Sequence, residues 1–354
     1  MDSVPGASAP ASGGTGHGRL ALGLLGIVLS LAFLLWALHD VDPTEFFHRI
    51  RDANLWLFLL SVGLATLTFP ARASRWHIIL AARGEPVRWR PVWHATAIGF
   101  MANNVLPARA GELARAYAAS RFVALPLARS IGSIAVERVF DGLIVVLLLA
   151  LTVATFHFPG AVTVGGTNLA TLAAWTGGLF VLALAVLFFL VHAPQRALAS
   201  LGAVARRLLP ARAGDFLVRI ARSFIEGLSI LRAPADFVRV VVWSLAVWLI
   251  NAAAFYAGFL AFHIGPLPFS AALLLQGIVA VGVALPSSPG FFGPFEAFSR
   301  VALGLYGIPA STAEGFAIGT HLGWFLPITA IGLFFLARSG FSLRDISTPP
   351  GVAA

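Results

Sequence analysis

Three short polar runs interrupt a chain that is otherwise apolar. The first is Asn103-Asn104-Val105-Leu106-Pro107-Ala108-Arg109-Ala110-Gly111-Glu112, followed by Arg115. Two amides, two guanidiniums and a carboxylate flank a proline break. A planar guanidinium matches a phosphate through two parallel hydrogen bonds, so Arg109 is a candidate anion ligand. If a helix starts again near Arg109, Glu112 and Arg115 stand at i, i+3 and can pair. The alternative is a cytoplasmic loop with a solvated salt bridge.

The second run is Glu137-Arg138-Val139-Phe140-Asp141-Gly142. Each ionisable residue at membrane depth costs on the order of 2.5–3.5 kcal/mol, even on insertion scales. Glu137 and Asp141 share a helix face at i, i+4, and Arg138 stands at i, i+3 to Asp141. Asp141 lies roughly 15 Å beyond Ile131, where the apolar stretch begins. Both carboxylates therefore need Arg138, or an arginine from the first run, as support. The run reads equally as a structural ion-pair network and as part of a binding site.

The third run is Pro286-Ser287-Ser288-Pro289-Gly290-Phe291-Phe292-Gly293-Pro294-Phe295-Glu296. Its prolines and glycines prevent continuous helix and free backbone amides and carbonyls. A helix restarting near Pro294 would point its N-terminal dipole at an anionic group. Glu296 reads as a first-turn cap or as a ligand for a proton or cation. His321 is a proton-relay candidate or a hydrogen-bonded interior histidine.

Apolar elements must position these runs. Of 354 residues, 58% are hydrophobic and 11% charged, against about 25% charged in soluble domains. Residues 142–191 and 240–295 contain no Asp, Glu, Lys or Arg. Runs of that length mark a polytopic membrane protein. Full spans are expected at 20–38, 55–71, 131–156, 169–191, 237–262 and 313–337. The regions 91–121 and 270–307 are apolar but broken at Leu106-Pro107 and Leu285-Pro286. Such breaks survive at membrane depth only inside protein or beside a wet cavity. Both regions read as re-entrant hairpins, the alternative being pairs of short or kinked spans. Arg72 and Arg75, beside Trp76, read as an interfacial anchor. The apolar stripe Leu217, Ile220, Phe224, Leu228 and Leu231 reads as an amphipathic helix on the cytoplasmic leaflet.

The net charge is +9, and all 24 basic residues are arginine. With both termini inside, the loops 1–19, 72–90, 192–236 and 338–354 hold fifteen arginines, and the outer loops 39–54, 157–168 and 263–269 hold two. This bias sets the orientation. It also argues against a nucleic-acid partner, because the arginines lie in short loops. Span, span, hairpin, span then describes 20–156, and the same order describes 169–337 with opposite orientation. The expectation is an all-α polytopic membrane protein with six full transmembrane helices and two re-entrant helical hairpins in an inverted-topology repeat, whose site lies where the breaks meet. The segments 1–19 and 338–354 are tails, 157–168 is an outer linker, and 192–236 is a cytoplasmic insert. No cysteine is present. No nucleotide-binding glycine loop, zinc-protease helix or nucleophile elbow occurs, so neither a cofactor, a metal nor a catalytic residue is expected.

Asn103 or Asn104 with Leu106, Pro107, Arg109, Gly111, Glu112 and Arg115, then Glu137-Arg138 with Asp141-Gly142, then Leu285, Pro286, Pro289, Gly290, Gly293 and Glu296, form an ordered set. Over about 20–340 it resembles the lysylphosphatidylglycerol synthase transmembrane region family, also called flippase-like or UPF0104. The resemblance implies a multi-pass inner (plasma) membrane protein that moves a lipid-linked polar headgroup between leaflets. With 17 residues after the last span, it further implies a membrane unit without the aminoacyltransferase domain of the best-known relatives. The expected partner is a phospholipid, polyprenyl lipid or glycolipid. A second copy of the chain or a lipid-biosynthesis enzyme is a candidate protein partner. Substrate contact is assigned to Asn103, Asn104, Arg109, Glu112, Arg115, Glu137, Arg138, Asp141, Ser287, Ser288, Gly290, Gly293, Glu296 and His321, with Pro107, Gly111, Pro286 and Pro289 as backbone breaks. Rival readings are a membrane-embedded phospho- or glycosyltransferase acting on a lipid phosphate, and a non-catalytic membrane subunit.

Overall fold

The computed structural model describes residues 42–81, 86–106, 110–155, 163–164, 167–168, 193–208, 210–228, 234–285 and 288–342, with shorter pieces between 28 and 39 and between 178 and 190. The spans expected at 20–38 and 169–191 fall largely outside the described residues, as do Pro107, Arg109, Pro286 and Ser287.

A short helix, α1 (Pro43–Arg51), precedes α2 (Leu55–Ala81). The first broken region consists of α3 (Trp89–Val105) and α4 (Gly111–Phe122), and α5 (Leu127–Thr155) follows. A two-residue antiparallel ladder, β1 (Thr163–Val164) with β2 (Thr167–Asn168), occupies part of the linker. The helices α6 (Pro194–Leu208) and α7 (Ala211–Gly227) lead to α8 (Pro234–Ala261). The second broken region consists of α9 (Phe269–Gly282), a 3-10 turn at Pro289–Phe291 and α10 (Pro294–Gly304). The last helix is α11 (Ala310–Ser339).

Among the described helices, α2, α8 and α11 are each long and apolar enough to cross a membrane. Their outward faces carry large apolar side chains such as Trp56, Val242 and Leu326, the last 63% exposed. Such a surface suits hydrocarbon rather than water.

The expected break after residue 71 is corrected: α2 runs through Pro70 to Ala81. A proline inside a helix leaves a carbonyl one turn back without its N–H partner, and serine and threonine hydroxyls adjust such sites. The carbonyl freed here is that of Thr66. On either side of the proline the Ser74 hydroxyl donates to the Pro70 carbonyl at 2.9 Å and the Thr66 hydroxyl to the Val62 carbonyl at 2.7 Å, neither of which is the freed group.

The most extensive helix pair is α2 with α8. A buried hydroxyl pins it, with Ser61 donating to the Ala254 carbonyl at 2.7 Å. Many of the other contacts come in matched pairs: α2 packs on α3 as α8 on α9, α4 on α5 as α10 on α11, and α3 on α11 as α9 on α5. Crossed contacts match too, α2 with α5 as α8 with α11, and α2 with α11 as α8 with α5. The chain order 55–155 is thus repeated over 234–339 in its packing as well as its sequence of elements. The end of α3 also touches the 3-10 turn of the opposite half, and Asn104 Nδ2 donates to Thr329 Oγ1 at 2.7 Å.

The amphipathic segment packs on protein along part of its apolar stripe. Leu217, Ile220 and Phe224 of α7 face Ile131, Ile134 and Ala135 of α5 across a groove, and Leu228 is buried against Val136 and Phe140. Part of the stripe thus packs toward α5, while Leu217 stays 38% exposed and Leu231 lies outside the described residues. Gly132 permits the close approach, because a Cβ there would stand 2.8 Å from the Phe224 backbone nitrogen.

Candidate functional site

The continuation of α2 beyond Pro70 carries Arg72 and Arg75 inward to α5. Arg75 is fully buried. Its Nη1 lies 2.6 Å from Asp141 Oδ1 and its Nη2 lies 2.9 Å from Glu137 Oε1. The interfacial-anchor expectation is therefore wrong for Arg75. Burial of two carboxylates on one helix face demands a cation between them, and a guanidinium spans both.

The helix α4 supplies the second cation. Arg115 meets Glu137 in bidentate fashion, Nη2 to Oε2 at 2.7 Å and Nη1 to Oε1 at 3.1 Å. Its guanidinium also stands 3.8 Å from the centre of the Trp76 ring, a desolvated cation–π contact. The expected local pairing of Arg115 with Glu112 does not occur. A buried carboxylate reached by two parallel bonds outweighs an exposed one at i, i+3.

Glu112 instead meets Arg138, at 2.6 Å. Arg138 also contacts Asp141 at 3.3 Å, as its spacing suggested. Asp141 gains the Trp248 indole N–H at 3.2 Å and a looser contact with Arg72 at 3.7 Å. Arg72 also lies within 6 Å of the Phe100 and Trp248 rings. Across the first break, Asn103 Oδ1 accepts the Gly111 N–H at 2.9 Å. Gly111 has no room for a side chain: a Cβ would collide with the Gly99 carbonyl and Asn103.

Together four guanidiniums (Arg72, Arg75, Arg115, Arg138) face three carboxylates (Glu112, Glu137, Asp141). Among these seven described side chains the guanidiniums outnumber the carboxylates by one. Glu112 and Arg138 are the half-exposed members, and they stand at the end of a groove of about 600 Å³ between α4, α5 and α7. The rest of its wall is apolar, including Leu113, Ile134, Leu217 and Phe224.

The second half builds a smaller polar cluster. Gly290 (φ 72°) and Gly293 (φ 92°) take left-handed backbone in the broken segment, which glycine adopts without a Cβ penalty. Pro294 opens α10 at its first turn, and Glu296 Oε2 accepts the Gly293 N–H at 2.7 Å. Glu296 Oε1 lies 2.6 Å from His321 Nδ1, and His321 Nε2 lies 2.8 Å from the Gly290 carbonyl. A carbonyl only accepts, so Nε2 carries a proton. The Nδ1 bond then joins neutral imidazole to carboxylic acid, or imidazolium to carboxylate. Glu296 thus caps a helix and holds a histidine at once. Phe295 and Phe292 cover the ring, with centroids at 4.3 and 4.6 Å. The Ser288 hydroxyl lies 3.3 Å from the Phe292 carbonyl.

Arg72, Arg75, Trp248 and Glu314 escaped the sequence reading of the site. Arg75 was visible as the counter-ion that two carboxylates on one apolar helix require. Glu314, fully buried on α11, was visible as a carboxylate two turns before His321 in an apolar span.

The Lysylphosphatidylglycerol synthase TM region sequence model matches residues 23–332. The glycosyltransferase AglD of Haloferax volcanii is 28% identical over 327 residues, 85% of this chain and 51% of that protein. This chain therefore spans about half the length of that relative. A UPF0104 membrane protein of Methanothermobacter thermautotrophicus is 24% identical over 321 residues, 88% of this chain and 90% of that protein. The matched length, the apolar helices and the placement of the three polar runs agree, and the chain belongs to the lysylphosphatidylglycerol synthase transmembrane region family.

Proposed function

We propose that this chain moves an anionic, lipid-linked headgroup between the two leaflets of the plasma membrane. The observation that carries the reading is the surplus guanidinium in the buried network of α2, α4 and α5. A purely structural network is most stable when its charges balance. An unbalanced cation beside an apolar groove calls for an anion with a tail. A lipid phosphate supplies both, bound by arginine in bidentate form. Arg109, two residues before Gly111 in sequence, is the further cation proposed for that site. Asn103, Asn104, Glu112, Arg115, Glu137, Arg138 and Asp141 form one wall of the passage. Ser287, Ser288, Gly290, Gly293, Glu296 and His321 form the other.

Six spans and two hairpins with both termini cytoplasmic complete the proposal, with repeat units at 20–156 and 169–337. The matched helix contacts of the two halves support such a repeat, as does the arginine bias of the loops. The name of the Haloferax relative, a glycosyltransferase of which this chain spans about half, favours a glycolipid among the candidate cargoes.

The test is headgroup movement in vesicles that contain the purified full chain and fluorescent phosphatidylglycerol or a fluorescent polyprenyl phosphate. Wild type is expected to expose inner-leaflet probe to an external quencher. Arg72→Ala and Arg109→Ala are expected to insert normally and lose this activity. Normal movement in both variants removes the arginines from the site. Product formation from a sugar donor in the same vesicles, without movement between leaflets, replaces the translocase with a membrane enzyme.

A further inference from the structure

Glu314 is fully buried, and neither of its carboxyl oxygens has a hydrogen-bond partner. It sits in the second turn of α11, a helix long and apolar enough to cross a membrane. The helices α10 and α11 are joined only by residues 305–309, and Glu296 meets His321 while Phe295 meets Trp324. They therefore run antiparallel. Glu314 and His321 stand two turns apart on one face of α11, roughly 10 Å along the axis. Ser299, one turn beyond Glu296 on α10 in the direction of Glu314, is also fully buried, and its hydroxyl has no partner.

Among the described residues, no hydrogen bond or ion pair is made to the Glu314 carboxyl. From α10, Glu296 repels it; Arg300 attracts it, but its guanidinium is held on the Trp36 carbonyl at 3.0 Å and over the Trp36 ring. From α11 itself the nearest titratable group is His321, bound to Glu296. Before α1, the Asp42 backbone N–H binds Ser311, and on α1 His48 pairs with Asp52 at the surface. From α8, residues 240–261 contribute Tyr256 alone among ionisable types. Arg72 and Arg75 of α2 belong to the other cluster. A fully buried carboxylate with no hydrogen bond to either oxygen is disfavoured in such surroundings relative to the neutral acid.

We propose that Glu314, with Glu296 and His321 beside it, is a proton-binding site in the second half of the protein, and that loading and release of this proton drive movement of the anionic headgroup. The coupling rests on the translocase reading above; the proton site does not. An anion held by surplus arginine in one half and a proton held by surplus carboxyl in the other would cross as a pair of nearly balanced charge. Both glutamates and the histidine are reversible acids, so each proton taken up on one side is returned as the same proton on the other.

Infrared difference spectroscopy of the full chain in vesicles, titrated over pH with choline as the monovalent cation, tests the site without any lipid cargo. The expected result is a protonated-carboxyl band that Glu314→Gln removes and Glu112→Gln leaves in place. An unchanged band in a Glu314→Gln protein of wild-type helicity overturns the site. If that variant does not fold, Glu314→Asp is used, and a spectrum identical to wild type is then the overturning result. Displacement of the band by sodium at fixed pH also overturns it, because the ligand is then a metal cation. In vesicles with fluorescent phosphatidylglycerol, an imposed pH gradient is expected to speed headgroup movement by wild type and not by Glu314→Gln. Movement indifferent to the gradient overturns the coupling. The band without any lipid movement is a failure of the translocase reading and leaves the proton site standing.

Discussion

Glu296 on α10 lies 2.6 Å from His321 on α11, 25 residues later. The first half repeats this relationship: Glu112 on α4 lies 2.6 Å from Arg138 on α5, 26 residues later. Each pair ties the return helix of a broken region to the long helix that follows it. The two halves thus share a joint but not its chemistry. Arginine keeps its charge at every accessible pH, whereas histidine can lose it. A guanidinium–carboxylate joint in one half faces an imidazole–carboxyl joint in the other.

Glu296 makes two contacts that can be separated. Glutamine can accept the Gly293 N–H with its carbonyl and donate from its amide to neutral His321 Nδ1. Glu296→Gln is therefore expected to melt within about 1 kcal/mol of wild type. Glu296→Ala removes the cap and leaves buried His321 with one bond, at about 2–4 kcal/mol. Thermal unfolding in detergent, followed by intrinsic fluorescence, checks the order of the two.

Much of the helical layout was legible from where charge is absent and where proline falls. Pro294 at the first turn of α10 and Gly111 at the start of α4 follow from the chemistry of helix termini. Pro70 shows the limit. Proline tends to end a helix, yet α2 continues through it while packed along α8 and α3, and local sequence does not report that packing. With the helix cut at residue 71, Arg75 looked like an interfacial residue, and its position between Glu137 and Asp141 was hidden. Local spacing likewise offered Glu112 to Arg115, but a pairing at i, i+3 says only that two groups can meet. Which partner wins depends on burial, and burial of Glu137 is a product of tertiary packing.

Arg75 holds Glu137 and Asp141 together, so its loss strands two buried carboxylates. Arg75→Met is expected to destabilise the protein by at least about 3–5 kcal/mol, the usual cost of breaking a buried pair. Asp141→Asn should cost less, because Arg72, Arg138 and Trp248 also surround that position. The triple variant Arg75→Met, Glu137→Gln, Asp141→Leu should recover stability over Arg75→Met alone. Detergent melting curves of the three proteins decide it; a single Arg75 variant as stable as wild type contradicts the ion-pair account.

The close crossing of α3 and α4 depends on paired glycines. A Cβ on Gly99 would strike the Arg115 side chain, and one on Gly111 would strike the Gly99 carbonyl and Asn103. Backbone atoms cannot move aside cheaply, and overpacking costs about 1–3 kcal/mol or more. Gly111→Ala is expected to lower melting stability and to disturb Arg115 as well. Gly142→Ala serves as the control, since nothing lies within 4 Å of a Cβ there, and alanine should stabilise that helix by up to about 1 kcal/mol. Expression level and melting temperature of the two variants are expected to move in opposite directions.

Arg138 and Glu112 form an ion pair whose side chains are 44% and 43% exposed. Such pairs add only about 0–1 kcal/mol to folding. Arg138→Gln should therefore melt within about 1 kcal/mol of wild type in neutral detergent. Its position at the end of the 600 Å³ groove predicts a larger effect once an anionic lipid is present. A ligand at one hundred times its Kd stabilises the folded state by about 2.7 kcal/mol. Short-chain phosphatidylglycerol is expected to raise the wild-type melting point accordingly, and short-chain phosphatidylcholine to raise it less. Arg138→Gln and Arg72→Ala should each lose most of the difference between the two lipids while keeping the shift that the tails alone produce. An unchanged headgroup preference in both variants would place the anion elsewhere and leave the surplus charge of the network without a ligand.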